Sequence, residues 1–207
     1  MEKIAVIILA AGPSSRLGRP KQLLELEGQS LIERALDAAN GTGGEPVIVV
    51  VGANYGQIVT RIRNSRAEIV RNVSWKNGLG SSIRAGIKQL LKKDPAASAV
   101  LLMVGDQPLV RAGHLRRLID FRRRTGKHLV CSRYAETVGV PAVFGREFFG
   151  ELMRLGKRGA KRLLLSHSDQ CAQIALPEAE IDIDEDADIE RLESRKRGVT
   201  SARSKQP

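Results

Sequence analysis

Aromatic residues make up only 3% of this 207-residue chain, and it holds two cysteines and three histidines. Each shortage excludes something. So few rings leave no series of stacking platforms for the bases of a single strand. His114, His128 and His167 are scattered, with no spacing that would hold zinc. No G-x-S-x-G turn is present, which argues against acyl transfer through a serine. No apolar run approaches the roughly 18 residues of a membrane span. The longest, residues 4–11, is too short for an export signal with a cleavage site and reads as a buried strand. With no such signal, Cys131 and Cys171 are expected to be free thiols in a reducing, cytoplasmic compartment, packed as small buried hydrophobes.

What is present fits one domain. Hydrophobic residues make up 42% of the chain and charged residues 28%, enough apolar content for a core and enough charge for solubility. The net charge of +11 would point to nucleic acid if it were evenly spread. It is not: residues 191–207 hold six basic residues against Glu193, a net +5. This basic stretch has almost no apolar residues, so residues 193–207 are expected to be a disordered tail beside a domain over residues 1–192. The milder basic balance of the domain suits a polyphosphate ligand better than nucleic acid.

Apolar runs bounded by Gly, Pro or Asn predict strands over residues 4–9, 47–51, 67–70, 99–104, 129–131, 140–144 and 173–176. The first, second and fourth are continuous rather than alternating, as expected of parallel strands covered on both faces. Helical spacing recurs between them. Leu31, Ile32, Ala35, Leu36 and Ala39 form one stripe, opened by Ser30 and Glu33 as a capping box. Ile83, Ile87, Leu90 and Leu91 form a second, and Leu115, Leu118 and Ile119 a third. The alternation predicts an α/β fold: a single doubly wound, mostly parallel sheet with helices on both faces. Ligands of such folds lie beyond the carboxyl ends of the strands, which directs attention to the segments after Leu9 and Val104.

The first of these reads Leu9-Ala10-Ala11-Gly12-Pro13-Ser14-Ser15-Arg16-Leu17-Gly18-Arg19-Pro20-Lys21. Small residues let backbone amides approach a phosphate or a base edge, and Arg16 and Lys21 add fixed positive charge. The spacing matches neither G-x-G-x-x-G nor G-x-x-x-x-G-K-[ST]. As residues alone, the segment could equally be a tight turn with solvated cations. The second reads Val104-Gly105-Asp106-Gln107-Pro108. A carboxylate there could hold Mg²⁺ together with phosphate oxygens, or cap the helix after Pro108. Gly78-Leu79-Gly80-Ser81-Ser82 offers amides for a phosphate, ribose or base, or an ordinary helix start. In the acidic run from Asp182 to Asp188, Asp182 and Asp184 could share a cation, or the run could stabilise the start of a helix near Asp186.

Taken together, these segments resemble the MobA-like nucleotidyltransferases, whose signature is L-A-A-G-x-S-x-R-(L/M)-G followed by P-K. Within that family they look most like the molybdenum-cofactor cytidylyltransferases. The resemblance runs over about residues 3–192. It implies that Leu9, Ala10, Ala11 and Gly12 face the nucleotide, that Arg16 and Lys21 hold its triphosphate, and that Gly80, Ser81 and Ser82 contact it. Asp106 would hold Mg²⁺ as in the family's G-D-x-P motif. Asp184 would be a second metal ligand as in D-I-D-T-P, with Asp182 as its alternative because Glu185-Asp186 replace Thr-Pro here. The implied donor is CTP, since the related guanylyltransferases carry glycine where Ala11 stands. The implied acceptor is molybdopterin bearing molybdenum, and the product would pass to a molybdenum hydroxylase. Val140, in Gly139-Val140-Pro141, stands where that branch carries histidine, which keeps other phosphorylated acceptors open. Gly156-Lys157-Arg158-Gly159-Ala160-Lys161 could bind an anionic acceptor or form a solvated helix start. A basic binding module and a catalytically silent relative are the remaining alternatives.

Overall fold

The computed structural model describes residues 4–15, 17–183, 187, 188 and 192. The chain opens with β1 (Ile4–Ala10), the short hairpin β2 (Glu25–Leu26) and β3 (Gln29–Ser30), and α1 (Leu31–Asn40). There follow β4 (Val47–Val51), α2 (Tyr55–Ile62), β5 (Glu68–Arg71), α3 (Leu79–Lys93), β6 (Ala99–Val104) and α4 (Ala112–Thr125). The last elements are β7 (Leu129–Tyr134), β8 (Thr137–Gly145), α5 (Phe149–Arg154), α6 (Lys161–Ser166) and β9 (Cys171–Ala175). Seven strands form one sheet in the order β5-β4-β1-β6-β8-β7-β9. β5, β4, β1 and β6 are parallel; β8 runs antiparallel to β6 and β7, and β9 is parallel to β7. This is a mostly parallel, doubly wound Rossmann-like sheet.

Every residue of β1 is buried, because helices cover both faces of the sheet. Successive side chains on a strand point to opposite faces. Ile4, Val6, Ile8 and Ala10 therefore join one core with Ile32 and Leu36 of α1, Ile58 of α2 and Leu115 and Leu118 of α4. Ala5, Ile7 and Leu9 join the other with Ile83, Ile87 and Leu90 of α3, Leu152 of α5 and Leu163 of α6. Helix α3 lies so close to the sheet that a Cβ on Gly86 would sit 2.8 Å from Ile7 Cγ2. Among the described residues no helix is long and apolar enough to cross a membrane.

Several boundaries differ from those the sequence predicts, each for a visible reason. Helix α2 went unpredicted because its buried side is only Ile58 and Ile62. The hairpin β7–β8 extends beyond its apolar centre through polar residues to a turn where Ala135 and Glu136 take positive φ. Helix α3 starts at Leu79 behind Gly78, which has φ 90°, so Ser81 and Ser82 lie inside its first turn rather than capping it. Helix α4 starts at Ala112 with Arg111 as its N-cap, so Asp106 is not the cap of that helix. Cys131 and Cys171, far apart in sequence, meet: both are buried free thiols, with sulfurs 2.6 Å apart. Contact with the Cys171 sulfur, and then burial, push the Cys131 thiol up. The predicted tail, residues 193–207, lies outside the described residues.

The capping box before α1 forms as the sequence predicts. The Glu33 carboxylate accepts from the Ser30 amide at 3.0 Å and from its hydroxyl at 2.5 Å, and pairs with Arg61 Nε of α2 at 2.8 Å. Burial pushes the Glu33 carboxyl up, but Ser30 and Arg61 together outweigh it and hold it below the usual carboxylate range. A carboxylate depressed on folding adds stability that is present above its unfolded value and lost as pH falls through the folded one. Glu33→Gln should therefore lower stability at pH 7 by about 1 kcal/mol, the usual scale of a helix cap. In thermal melts from pH 7 to pH 3 the gap between variant and parent should close on the acid side. A gap independent of pH would contradict this account.

Candidate active site

The sheet order places the site. The chain leaves β1 toward β4 and β5 on one side, then returns through α3 to β6 on the other, so β1 and β6 are neighbours whose following loops diverge. A crevice opens at the carboxyl ends of such a pair. The two strands end together: Leu9 pairs with Val104, and the Gly105 amide donates to the Leu9 carbonyl at 3.1 Å. Into the space between them come the side chains of Lys21, from the loop after β1, and Asp106, from the loop after β6. Lys21 Nζ lies 2.5 Å from Asp106 Oδ2, and the two side chains are 15% and 17% exposed. The other carboxylate oxygen, Oδ1, is buried with no hydrogen-bond partner.

A buried glutamine shapes the loop after β1. Gln22, 2% exposed, donates through Nε2 to the carbonyls of Ala10 and Gly12, each at 3.2 Å. Ser14, at φ 54°, accepts the Lys21 amide on its hydroxyl at 2.9 Å, which fixes the backbone from which the lysine projects. A Cβ built on Gly12 meets nothing within 4 Å, so the glycine faces open space rather than packing against the chain. Leu9, Ala10 and Ala11 are buried. Ala11 is tied to the next strand loop, since its carbonyl accepts from Ala53 at 3.1 Å and its Cβ limits Gly52. Arg16 and Asp184 lie outside the described residues.

The segment around Gly80 is built differently. A Cβ on Gly80 would fall 2.1 Å from the Gly156 carbonyl, so this glycine is explained by packing against the loop before α6. Ser81 and Ser82 are 8% and 2% exposed, and their hydroxyls accept from Asn72 Nδ2 at 2.9 and 3.0 Å. Their contacts brace the start of α3 against the loop after β5. Lys157 Cα would come within 2.8 Å of a Cβ on Gly78, so the basic segment 156–161 packs on this same turn.

The acidic C-terminal segment reaches the site through the backbone. The Ile183 amide donates to the Asp106 carbonyl at 3.2 Å, and Ile183 joins Leu24, Leu26, Leu31 and Leu192 in a small separate core. Gln107 donates to the Ala179 carbonyl at 2.7 Å and stands 3.4 Å from that of Val140, which also accepts from the Tyr134 hydroxyl at 3.0 Å. Burial pushes the Tyr134 phenol up, and the nearby Asp182 and Asp106 carboxylates add to it. Val140, the position that departs from the cytidylyltransferase pattern, is thus linked to Asp106 through its neighbour Gln107.

Sequence reasoning missed Gln22 and Asn72. Both act by hydrogen bonds between separate segments, for which local spacing carries no signal.

Among the described residues no group of three or more His, Cys, Asp or Glu could hold a metal by itself. The unpartnered oxygen of Asp106 nevertheless fits Mg²⁺, which commonly takes only one or two carboxylates and completes its shell with phosphate oxygens and water.

Residues 6–171 match the model of the MobA-like NTP transferase domain, so the chain belongs to this nucleotidyltransferase family. It is 33% identical over 128 residues to the bifunctional protein GlmU of Pelobacter propionicus, covering 61% of this chain and 27% of that one. It is 36% identical over 121 residues to nicotine blue oxidoreductase of Paenarthrobacter nicotinovorans, 56% of either chain. The match thus spans from about a quarter to about half of these curated relatives. The crystal structure of Rv0371c from Mycobacterium tuberculosis H37Rv superposes with a TM-score of 0.77 at 32% identity, over 92% of this chain and 97% of that one. Its complex with manganese superposes at 0.73 and 29% identity over the same shares.

Gln22→Leu keeps the side-chain volume and removes both bonds to the loop. It should leave the buried Ala10 carbonyl without this partner and release the exposed Gly12, at a cost of about 1–3 kcal/mol, read as a lowered melting temperature, with faster amide exchange confined to residues 10–15. An unchanged melt would show that Gln22 does not organise the loop.

Proposed function

We propose that the chain transfers CMP from CTP to the phosphate of molybdopterin bearing molybdenum, releasing pyrophosphate. The observation that carries this reading is the meeting of Lys21 and Asp106 at the carboxyl ends of β1 and β6. The family assignment supports the reaction class, and the manganese complex of Rv0371c supports a divalent cation, here Mg²⁺. Ala11 in the loop favours cytosine over guanine.

In this reading an acceptor phosphate oxygen attacks the α-phosphorus of the nucleotide, and the bond from that phosphorus to the bridging oxygen breaks, which expels pyrophosphate. No enzyme-bound intermediate is needed, and because the acceptor phosphate is already ionised, no general base is needed either. The chain's task is alignment and neutralisation of charge. The loop backbone at Ala10 to Gly12, whose Ala10 and Gly12 carbonyls are held by Gln22, faces the base of the nucleotide. Lys21 and Arg16 add positive charge to the triphosphate, and Asp106, with Asp184 or Asp182, holds the cation. The cation would screen the phosphate oxygens and draw electrons from the phosphorus. Gly80 would offer its backbone amide at the start of α3, while Ser81 and Ser82, named for nucleotide contact by the family resemblance, hold that turn in place: their hydroxyls are engaged with Asn72 and the Ser81 amide donates to the Gly78 carbonyl at 3.0 Å. A molybdenum hydroxylase would receive the product.

Two observations keep other readings in view. Val140 leaves a different phosphorylated acceptor, such as a sugar or alcohol phosphate, compatible with the same chemistry. The relative named nicotine blue oxidoreductase raises redox chemistry on the same scaffold.

Thermal stabilisation by CTP, GTP, ATP, UTP and a reduced nicotinamide dinucleotide, each with and without Mg²⁺, separates them. Ligand at a hundred times its dissociation constant adds about 2.7 kcal/mol. Selective, Mg²⁺-dependent stabilisation by CTP is expected; a response to the dinucleotide alone would favour the redox reading. Asp106→Asn should keep the fold and abolish cation-dependent turnover with CTP, and full activity in that variant would remove Asp106 from the cation site.

A further inference from the structure

Lys21 and Asp106 carry opposite assignments in the reading above: one is meant for the triphosphate, the other for a cation. Yet in the structure they hold each other, at 2.5 Å and largely out of solvent. We propose that, without nucleotide, the Lys21 ammonium fills the cation position at Asp106, so that the site takes its divalent ion together with the nucleotide and not ahead of it. The inference rests on the reading of Asp106 as cation ligand.

Three features support it. The ammonium sits on one carboxylate oxygen while the other is buried and unpartnered, so a divalent ion arriving alone would meet a carboxylate already neutralised, and a positive charge beside it. No cluster of three or more protein ligands exists among the described residues to overcome that repulsion. The lysine is also hinged for a switch. Its amide is fixed by the Ser14 hydroxyl at 2.9 Å and it begins a 3-10 turn at Lys21–Leu23, so its backbone stays put while the flexible side chain can turn to another anion. A triphosphate beside Gly12 is such an anion. Moving the ammonium onto phosphate frees both Asp106 oxygens at the moment phosphate oxygens become available to complete the cation's shell. By linkage, nucleotide and cation then strengthen each other's binding through the displacement of one side chain.

The test is Mn²⁺ binding to the full chain, followed by the loss of the free-ion electron paramagnetic resonance signal, with no nucleotide present. Lys21→Met keeps the stem and removes the charge, and should bind Mn²⁺ about tenfold more tightly than the parent, within the usual range for coupled sites. Adding Asp106→Asn to that variant should abolish the gain. Equal Mn²⁺ affinity in parent and Lys21→Met would overturn the proposal. So would an equal gain in Arg19→Gln, which removes a charge from the same loop and would assign the effect to net charge alone. Lys21→Gln, measured in parallel with melting curves for each variant, supplies the same comparison should the methionine disturb folding. The outcome separates from that of the functional reading. Tighter Mn²⁺ binding in Lys21→Met, with no response of the parent to any nucleotide, would uphold the occupied cation position and remove the transferase assignment. CTP binding by the parent without the Mn²⁺ gain in Lys21→Met would do the reverse.

Discussion

The in-register parallel pairing of β1 with β6 is the constraint on which the site depends. Strands that end together deliver their following loops to the same height above the sheet, and here those loops carry Lys21 and Asp106, which meet above the strand ends. A slip of one residue would turn every side chain of β1 to the opposite face and exchange its two cores. That exchange is blocked from both sides: α1, α2 and α4 accept Ile4, Val6 and Ile8, while α3 approaches closely enough to require glycine at position 86. The geometry of the crevice is therefore set by packing some distance below it.

Much of this was legible because burial writes itself into local pattern. Residues 4–10, 47–51 and 99–104 are apolar without alternation because both faces are covered, and that pattern predicts the strands almost to the residue. The capping box at Ser30 and Glu33 is visible for the same reason, since its partners are three positions apart. Helix α2 is not visible: with two buried side chains it is held by its neighbours more than by its own periodicity. The polar ends of β7 and β8 belong to the sheet through pairing that no residue type in them announces.

The site divides along the same line. Lys21 and Asp106 were found because charge beside glycine at a strand end is conspicuous, and because the family resemblance gave those positions a role. Gln22 and Asn72 were not found, since their importance lies in bonds to carbonyls and hydroxyls on other segments. The segment at Gly80 shows that one pattern can have two causes. A glycine and two serines at a helix start read as a phosphate cradle, yet the glycine is fixed by the backbone at Leu155 and Gly156 and the hydroxyls by an asparagine. Such a turn is rigid before any ligand reaches it.

The small core in which Leu24, Leu26 and Leu31 meet Ile183 and Leu192 has a temporal meaning. As the chain leaves the ribosome, the loop after β1 emerges early, but the residues that close the cluster beneath it arrive some 150 positions later, near the end of the described chain. Until they do, the loop has its hydrogen bonds but not its apolar seat. Residues made late thus finish a part of the site made early, and a chain truncated before Ile183 would carry every residue of the first motif without the apolar seat that Ile183 and Leu192 complete.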